Sequence, residues 1–166
     1  GVEHVIWLSG ERGVGDTDFH IDGAARFANE TTVLYSWTDD ACHPRYATFK
    51  KHRDELRRAV TASGASLTLV PVPTTEARIY ATRRDGKRPP FELVPSLGLY
   101  ANFYVANEVV LVPVYGDAND AEALSIIAEH FPDREIVGIL AHVLAELGGM
   151  IHCVTQQQPA TVERDG

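Results

Sequence analysis

The pattern of apolar runs and polar turns along this chain occurs twice, once in each half. In its first occurrence, residues 21–28 and 32–37 have the apolar character of strands, with a polar turn between them. Residues 44–62 follow with apolar side chains at partly helical spacing, and residues 67–72 form another short apolar run. The first half of the chain is therefore predicted to fold as strand, strand, helix and strand.

The same order returns in the second half of the chain. Residues 99–106 and 109–115 have the pattern of two strands joined by a short polar turn. The polar residues 117–120 suit the start of a helix that runs to about Phe131. Residues 135–140 then form a final strand. Strands and helices mixed in this way predict an α+β fold.

The whole chain, residues 1–166, is predicted to be a single domain. Its two repeated modules span about residues 19–75 and 97–141, and residues 142–160 supply part of a further module. The polar residues 76–95 between the modules, rich in Arg and Pro, are predicted to form an exposed loop or insertion. Each module leaves an apolar face for a neighbour to cover. The chain is therefore expected to be part of a larger propeller-like assembly, or to be completed by a partner chain.

Composition narrows the class of protein. The net charge of −8 argues against nucleic-acid binding, which needs clustered Lys and Arg side chains. No apolar run reaches the roughly 18 residues of a membrane span, and no signal-peptide pattern is visible. With only Cys42 and Cys153, the chain is unlike a disulfide-rich scaffold. We therefore expect a protein of a reducing compartment, cytoplasmic, with neither nucleic acid nor a membrane as partner.

Two short segments about 130 residues apart contain the parts of a nucleophilic site. Residues 18–22 and 148–157 supply His20, Asp22 and Cys153. A thiol acts as a nucleophile when a base and an electropositive setting lie near it. His20 and Asp22 are separated by one residue and would share one face of a strand. A buried inert thiol and an Asp that is hydrogen-bonded at a strand start are the alternatives.

Further polar side chains flank this predicted site. On a strand, His152 would face away from Cys153, so it is interpreted as a structural residue and not as the base. Asp16 and Asp18 add negative charge near the mouth of the site, where they either attract a cationic substrate or are solvated loop acids. A metal site is not supported, because the chain has no Cys-x-x-Cys or His-x-x-x-His spacing.

An ordered set of segments across nearly the whole chain carries a family resemblance. Together they resemble the C-terminal half of an agmatine deiminase. That family is similar to bacterial-type peptidylarginine deiminases and belongs to the guanidino-modifying pentein superfamily. The segments are residues 16–22, 25–27, 37–40, 100–107, 112–113, 116–121 and 148–159.

The resemblance implies a fold, a reaction and roles for site residues. The fold is a ring of five ββαβ modules, of which this chain holds about half. The reaction is hydrolysis of a guanidino group to a ureido group with release of ammonia, with no metal and no organic cofactor. By resemblance, Asp22 binds the guanidinium and Cys153 attacks its central carbon to give a thiouronium intermediate. His20 acts as general acid and then as general base.

The sequence also departs from the family pattern. Phe19 stands where a Gly is usual and Met150 where a small polar residue is usual, and both bulky side chains would narrow the site. The N-terminal half of the family, which supplies further carboxylates, has no counterpart in this sequence. The expected partners are therefore a small cationic guanidino substrate and either self-association or a missing N-terminal half.

Three hypotheses for the function remain open. The first is a deiminase with agmatine as the favoured substrate, ahead of arginine and peptidyl arginine. The second is a catalytically incomplete fragment or pseudoenzyme that acts as a guanidino-binding or assembly module. The third is transfer of an amidino group to an amine acceptor instead of to water.

Overall fold

The computed structural model describes residues 2, 4–12, 18–76, 79–81, 94–96, 98–146 and 149–158. Within these residues, the helices are α1 (Ile21–Ala24), α2 (Tyr46–Arg58), α3 (Asp120–His130) and α4 (His142–Glu146). One turn of 3-10 helix covers His152–Val154. The strands are β1 (Ala25–Phe27), β2 (Thr32–Trp37), β3 (Thr68–Pro73), β4 (Ile79–Ala81), β5 (Val94–Ser96), β6 (Tyr104–Val105), β7 (Val109–Val114) and β8 (Glu135–Leu140).

Two units with the same strand order form most of the described fold. In the first, β1 pairs antiparallel with β2, and α2 leads from β2 to the parallel strand β3. In the second, β6 pairs antiparallel with β7, and α3 leads from β7 to the parallel strand β8. A parallel pair needs a crossover connection of this kind, which a helix supplies. The α+β class predicted from the sequence is confirmed.

The central strand of each unit is covered by its helix. Strand β2 is buried at five successive positions, which explains why its sequence is a continuous apolar run and not a strict alternation. Phe49 and Leu56 lie about two helical turns apart on the buried face of α2. Ala123 and Ile127 occupy the corresponding face of α3.

A shared hydrophobic core joins the two units. Leu34 and Phe49 of the first unit belong to the same cluster as Phe103, Val110 and Ile127 of the second. All five side chains are 0 % exposed. Helix α3 of the second unit also contacts β3 of the first. The units therefore pack around one core, and their contact fixes the relative position of the segments that precede β1 and β6.

The starts of both units differ from the sequence prediction. The predicted strand 21–28 is a helical turn, Ile21–Ala24, followed by the short strand Ala25–Phe27. The predicted strand 99–106 is a buried turn that ends in the two-residue strand Tyr104–Val105. The expectation that residues 20 and 22 share the face of a strand is therefore wrong.

Tertiary contacts explain why the chain turns before β1. The hydroxyl of Ser36 donates a hydrogen bond to the carbonyl of Gly23 at 2.8 Å. The N–H of Gly23 donates to the carbonyl of His20 at 3.2 Å and closes the turn. A Cβ atom on Gly23 would lie 2.7 Å from Cδ1 of Leu99, so a larger residue here would require the Leu99 side chain to shift. The start of the first unit therefore packs directly against the start of the second.

The remaining elements follow the predictions with shifted ends. The predicted helix 44–62 is Tyr46–Arg58, and the predicted strand 135–140 is β8 with the same bounds. Part of the predicted loop 76–95 is ordered as the antiparallel pair β4 and β5, whereas residues 77, 78 and 82–93 lie outside the described residues. None of the described helices is long and apolar enough to cross a membrane.

Candidate active site

Three chain segments that are distant in sequence meet at one place. Helix α1 supplies Asp22, and the buried turn before β6 supplies Asn102. The 3-10 turn near the C-terminal end of the described chain supplies His152 and Cys153. Asp22 and Asn102 occupy similar positions, because each lies a few residues before the first strand of its unit. The repeated topology therefore directs one polar side chain from each unit to the same place.

The sulfur of Cys153 lies between a carboxylate and an amide. Oδ2 of Asp22 is 3.5 Å from Sγ of Cys153. Nδ2 of Asn102 is 3.4 Å from the same sulfur. Oδ2 of Asp22 is also 2.8 Å from Nδ1 of His152, which forms an ion pair with it when protonated. We refer to Asp22, Asn102, His152 and Cys153 as the cysteine cluster.

Asp22 is held in its charged form by the cluster. Burial opposes ionisation of its carboxyl group, but the hydrogen bonds with His152 and Cys153 outweigh burial, so the pKa of Asp22 is lowered. Its second oxygen, Oδ1, is buried and has no hydrogen-bond partner among the described residues. Arg26 lies close enough to interact with this charge, although burial lowers the pKa of its own guanidinium group. Asp22 is therefore a carboxylate with unused acceptor capacity.

Cys153 is exposed, yet its surroundings favour the neutral thiol. Partial burial raises the pKa of Cys153 most strongly, and the negative charge of Asp22 raises it further. Hydrogen bonds from the backbone at Met150 and from the side chain of Asn102 act against these two effects and lower the pKa of Cys153. A positive charge placed beside Asp22 would lower the pKa of Cys153 and favour the thiolate.

The other predicted site residues have different positions. His20 has an extended backbone, and its side chain is exposed. Within the described part of the chain, that side chain forms no hydrogen bond or ion pair. Asp18 is exposed, and its carbonyl accepts a hydrogen bond from the N–H of Glu11. Asp16 lies outside the described residues. Of the predicted residues, the structure brings Asp22 and Cys153 into contact.

Two members of the cysteine cluster were missed by reasoning from the sequence. His152 was expected to face away from Cys153 on a strand, but residues 152–154 form a 3-10 turn, and the ring reaches Asp22. Asn102 gave no local signal, because it bonds to a residue that is 50 positions away in the sequence. A polar side chain inside the apolar residues 99–106 was the available clue, since buried polar groups have partners.

The two bulky side chains that were expected to narrow the site, Phe19 and Met150, pack inwards. Met150 is only 8 % exposed, and its sulfur accepts a hydrogen bond from the hydroxyl of Tyr115 at 2.8 Å. Phe19 packs against Phe49 and His52 of α2, with ring centroids 6.4 Å and 5.5 Å away. The prediction that Met150 narrows the site is therefore wrong, because this side chain belongs to the core.

The backbone of Phe19 adopts a conformation that favours Gly. Its φ is 93°, and that of Asp18 is 55°, so two successive residues with side chains adopt left-handed conformations. Such conformations are uncommon for a bulky residue and cost on the order of 1–3 kcal/mol. The guanidinium of Arg45, 5.2 Å from the ring centroid of Phe19, helps to hold the aromatic ring in place. Packing thus maintains a strained backbone immediately before His20.

A cavity of about 520 Å³ lies elsewhere, between the ends of β2 and β3 and the start of α3. Its charged lining consists of Asp39, Asp40, Glu76 and Glu122. None of the four residues of the cysteine cluster lines this cavity. Cys153 is exposed and carries the reactive thiol group. We therefore place the candidate site at the cysteine cluster and not at this cavity.

The fold and the cluster together define an α+β protein with a cysteine-centred polar site, and comparisons with known proteins agree with this class. The family of Porphyromonas-type peptidyl-arginine deiminases matches residues 1–159. The chain belongs to this family, which confirms the resemblance found in the sequence. Agmatine deiminase of Pseudomonas putida (strain F1) is 35 % identical over 173 aligned residues, which cover 98 % of this chain and 46 % of that protein.

Solved structures give the same result. A structure described as agmatine deiminase of Enterococcus faecalis catalysing its reaction matches with a TM-score of 0.85 and 29 % identity, over 95 % of this chain and 45 % of that one. Agmatine deiminase of Campylobacter jejuni with substrate bound matches with a TM-score of 0.74 and 28 % identity, over 91 % and 40 %. The chain thus spans about half the length of the relatives it matches.

Proposed function

We propose that this protein hydrolyses a guanidino group to a ureido group and ammonia through a covalent bond to Cys153. Agmatine, converted to N-carbamoylputrescine, is the favoured substrate because the similar proteins are agmatine deiminases. The observation that carries the proposal is the contact between the sulfur of Cys153 and the carboxylate of Asp22, at 3.5 Å. This contact supports roles for Cys153 as the nucleophile and for Asp22 as the carboxylate that binds a cation.

Substrate binding is assigned to Asp22. A guanidinium group is planar and cationic, and a carboxylate binds its N–H groups as a fork. Oδ1 of Asp22 has acceptor capacity that the described residues do not use. A guanidinium at Asp22 would lie next to Cys153, and its positive charge would lower the pKa of the thiol. Substrate binding would therefore activate the nucleophile.

The covalent step is assigned to Cys153 and the proton transfers to His20. The thiolate forms a bond to the central guanidinium carbon, and the resulting tetrahedral adduct breaks a C–N bond to expel ammonia. His20 gives the leaving nitrogen its proton and then takes a proton from the water that attacks the thiouronium carbon. The C–S bond then breaks, which releases the ureido product and returns Cys153 as the thiolate. His152 is assigned to holding Asp22, because its Nδ1 is already engaged with that carboxylate.

Asp18 and Asp16 come before His20 and α1 and are assigned to the entrance of the site. The side chain of His20 is exposed and lies two residues before Asp22 in the sequence, so we assign it to a substrate bound at Asp22. Asp18 is also exposed, and its negative charge would attract a cationic substrate. Asp16 is assigned the same role from the sequence alone.

Completion of the site is assigned to further modules of a five-module ring. Three large apolar side chains near the C-terminal end of the described chain are strongly exposed, namely Leu140 at 68 %, Val143 at 69 % and Val154 at 63 %. Exposed apolar side chains mark surfaces for association when they form a patch. We infer that an N-terminal half or a second copy of the chain covers them and adds carboxylates to the guanidinium site.

The alternative is a non-catalytic guanidino-binding or assembly module. It is supported by the state of the cysteine cluster, in which burial and Asp22 raise the pKa of Cys153. A protein of this kind would bind agmatine at Asp22 without releasing ammonia.

Ammonia release tests the proposal. The protein is incubated with agmatine, arginine or an arginyl peptide, and the variants Cys153→Ala and Cys42→Ala are compared, because both cysteines are free and exposed. We expect release from agmatine that is lost in Cys153→Ala and kept in Cys42→Ala. Release that persists in Cys153→Ala would contradict the proposal, and no release from any substrate would favour the non-catalytic alternative. Transfer of the amidino group to an added amine would identify the third hypothesis.

A further inference from the structure

We propose that Asn102 is a positioning residue that presents a fixed N–H donor to the sulfur of Cys153 and thereby favours the thiolate. Nδ2 of Asn102 is 3.4 Å from Sγ of Cys153, within the range of a hydrogen bond to sulfur. The catalytic meaning of this inference rests on the proposed function, because a stabilised thiolate matters for turnover only if Cys153 is the nucleophile.

The orientation of the Asn102 amide follows from its second contact. Oδ1 of Asn102 accepts a hydrogen bond from the backbone N–H of His152 at 2.9 Å. A flipped amide would place its own N–H groups against that N–H and leave it only the backbone carbonyl of Asn102, at 3.2 Å, as an acceptor. The side chain is therefore held with its oxygen towards the backbone of His152 and its nitrogen available to Cys153.

The burial of Asn102 makes the donor rigid. Asn102 is 1 % exposed, and its neighbours in the sequence, Ala101 and Phe103, are both 0 % exposed. The backbone is also held, because the N–H of Asn102 donates to the carbonyl of Leu99 at 3.1 Å. A donor fixed before the reaction does not have to reorganise when negative charge develops on the sulfur.

Asn102 and Asp22 have opposite effects on the same sulfur. A protonated thiol can donate to Oδ2 of Asp22, at 3.5 Å, so the carboxylate favours the neutral form. The N–H of Asn102 donates to the sulfur at 3.4 Å and favours the anion, whereas Oδ1 of the same amide, at 3.7 Å, is a longer contact that can accept from the protonated thiol. Among the described residues, Tyr115, which follows β7, interacts electrostatically with this sulfur, and His152 precedes Cys153 in the same turn and contacts Asp22. Loss of the Asn102 donor would leave the carboxylate of Asp22 without opposition from a side-chain amide.

Alkylation of Cys153 as a function of pH tests the inference. In a Cys42→Ser background, the rate of reaction with iodoacetamide is measured from about pH 5 to about pH 10, so that its midpoint reports the thiol pKa. The variant Asn102→Asp keeps an acceptor for the N–H of His152 and replaces the donor by an anion. We expect its midpoint to rise by at least about one unit, which is a roughly tenfold slower reaction at a pH below both midpoints. Asn102→Ala should give a smaller rise.

A matched control variant is Asn119→Asp, because the side chain of Asn119 donates to the backbone carbonyl of Thr74, outside the cysteine cluster. Its midpoint should not change. An unchanged midpoint in a folded Asn102→Asp variant would overturn the inference. Loss of the native circular dichroism spectrum in both Asn102 variants would also overturn it, because Asn102 would then be a residue of general structural importance.

This titration needs no substrate and no turnover. A rise in the midpoint together with an absence of ammonia release would support the role of Asn102 while rejecting the proposed function. Ammonia release that depends on Cys153, with an unchanged midpoint in Asn102→Asp, would support the function and reject the role of Asn102.

Discussion

The segments that lead into the two units share a position in the fold but differ in chemistry. The segment before β1 turns through α1, leaves His20 exposed and contributes the carboxylate of Asp22. The segment before β6 is buried and contributes the neutral amide of Asn102. A repeated scaffold thus supplies one sulfur with an anion that favours the thiol and a donor that favours the thiolate. In the proposed function, the first unit would therefore bind the cation and the second would orient the nucleophile.

The largest expected effect comes from removing the charge of the first segment. Asp22→Asn should lower kcat/KM for agmatine about a hundredfold, since each hydrogen bond to a charged group contributes roughly 1.5–3 kcal/mol. Steady-state kinetics of ammonia release measures this loss. Asp39→Asn is a matched control, because Asp39 lies outside the cysteine cluster, and it should retain activity. Equal activities of the two variants would remove Asp22 from the site.

The next effect is a shift of the alkylation midpoint of Cys153 in Asp22→Asn, opposite in direction to the shift expected for Asn102→Asp. Asp22→Asn removes the carboxylate that raises the pKa of Cys153, so the midpoint of alkylation should fall by about one unit. The two variants should therefore shift the midpoint in opposite directions. The same alkylation assay measures both, and shifts of the same sign would contradict the assignment of opposite roles to the two segments.

A smaller effect tests the strained backbone before His20. Phe19→Ala removes the ring that packs on Phe49 and His52, and we expect it to lower the free energy of unfolding by about 2 kcal/mol. Phe19→Gly loses the same ring but adopts a φ of 93° without strain. It should be more stable than Phe19→Ala by about 0.5–1 kcal/mol in urea denaturation. A less stable Gly variant would show that the left-handed backbone is not strained.

The smallest effect concerns stability in acid. The pKa of Asp22 is lowered in the folded protein, so the folded state binds fewer protons than the unfolded state. The stabilisation is present above the unfolded pKa of about 4 and is lost as the pH falls through the folded pKa. Compared with Asp22→Asn, the unaltered protein should lose more thermal stability on acidification through this range. Parallel melting temperatures from about pH 5 down to about pH 2 would contradict this linkage.

The sequence predicted the parts of the fold that apolar patterns determine. The order of strand, strand, helix and strand was visible twice because β2 and β7 are buried central strands with continuous apolar runs. The starts of the units were not predicted, because contacts distant in sequence shape them, such as that of Ser36 with Gly23. The pattern of residues 99–106 resembles a strand, although most of it is a turn packed in the core.

Only part of the candidate site was predictable from the sequence. The family resemblance indicated Asp22 and Cys153, and the two side chains are in contact in the structure. The direction of His152 depended on whether residues 152–154 form a strand or a 3-10 turn, which their short sequence does not determine. Asn102 was not identified because its partners, His152 and Cys153, lie about 50 residues away.

A covalent intermediate on Cys153 is the most direct test of the account. The protein is mixed with agmatine, quenched in acid and digested, and the peptide containing Cys153 is analysed by mass spectrometry. The account predicts that this peptide gains the mass of agmatine less one ammonia, and that the peptide containing Cys42 does not. Ammonia release without any adduct on Cys153 in the quenched samples, or an adduct on Cys42 alone, would contradict the central claim that Cys153 is the nucleophile.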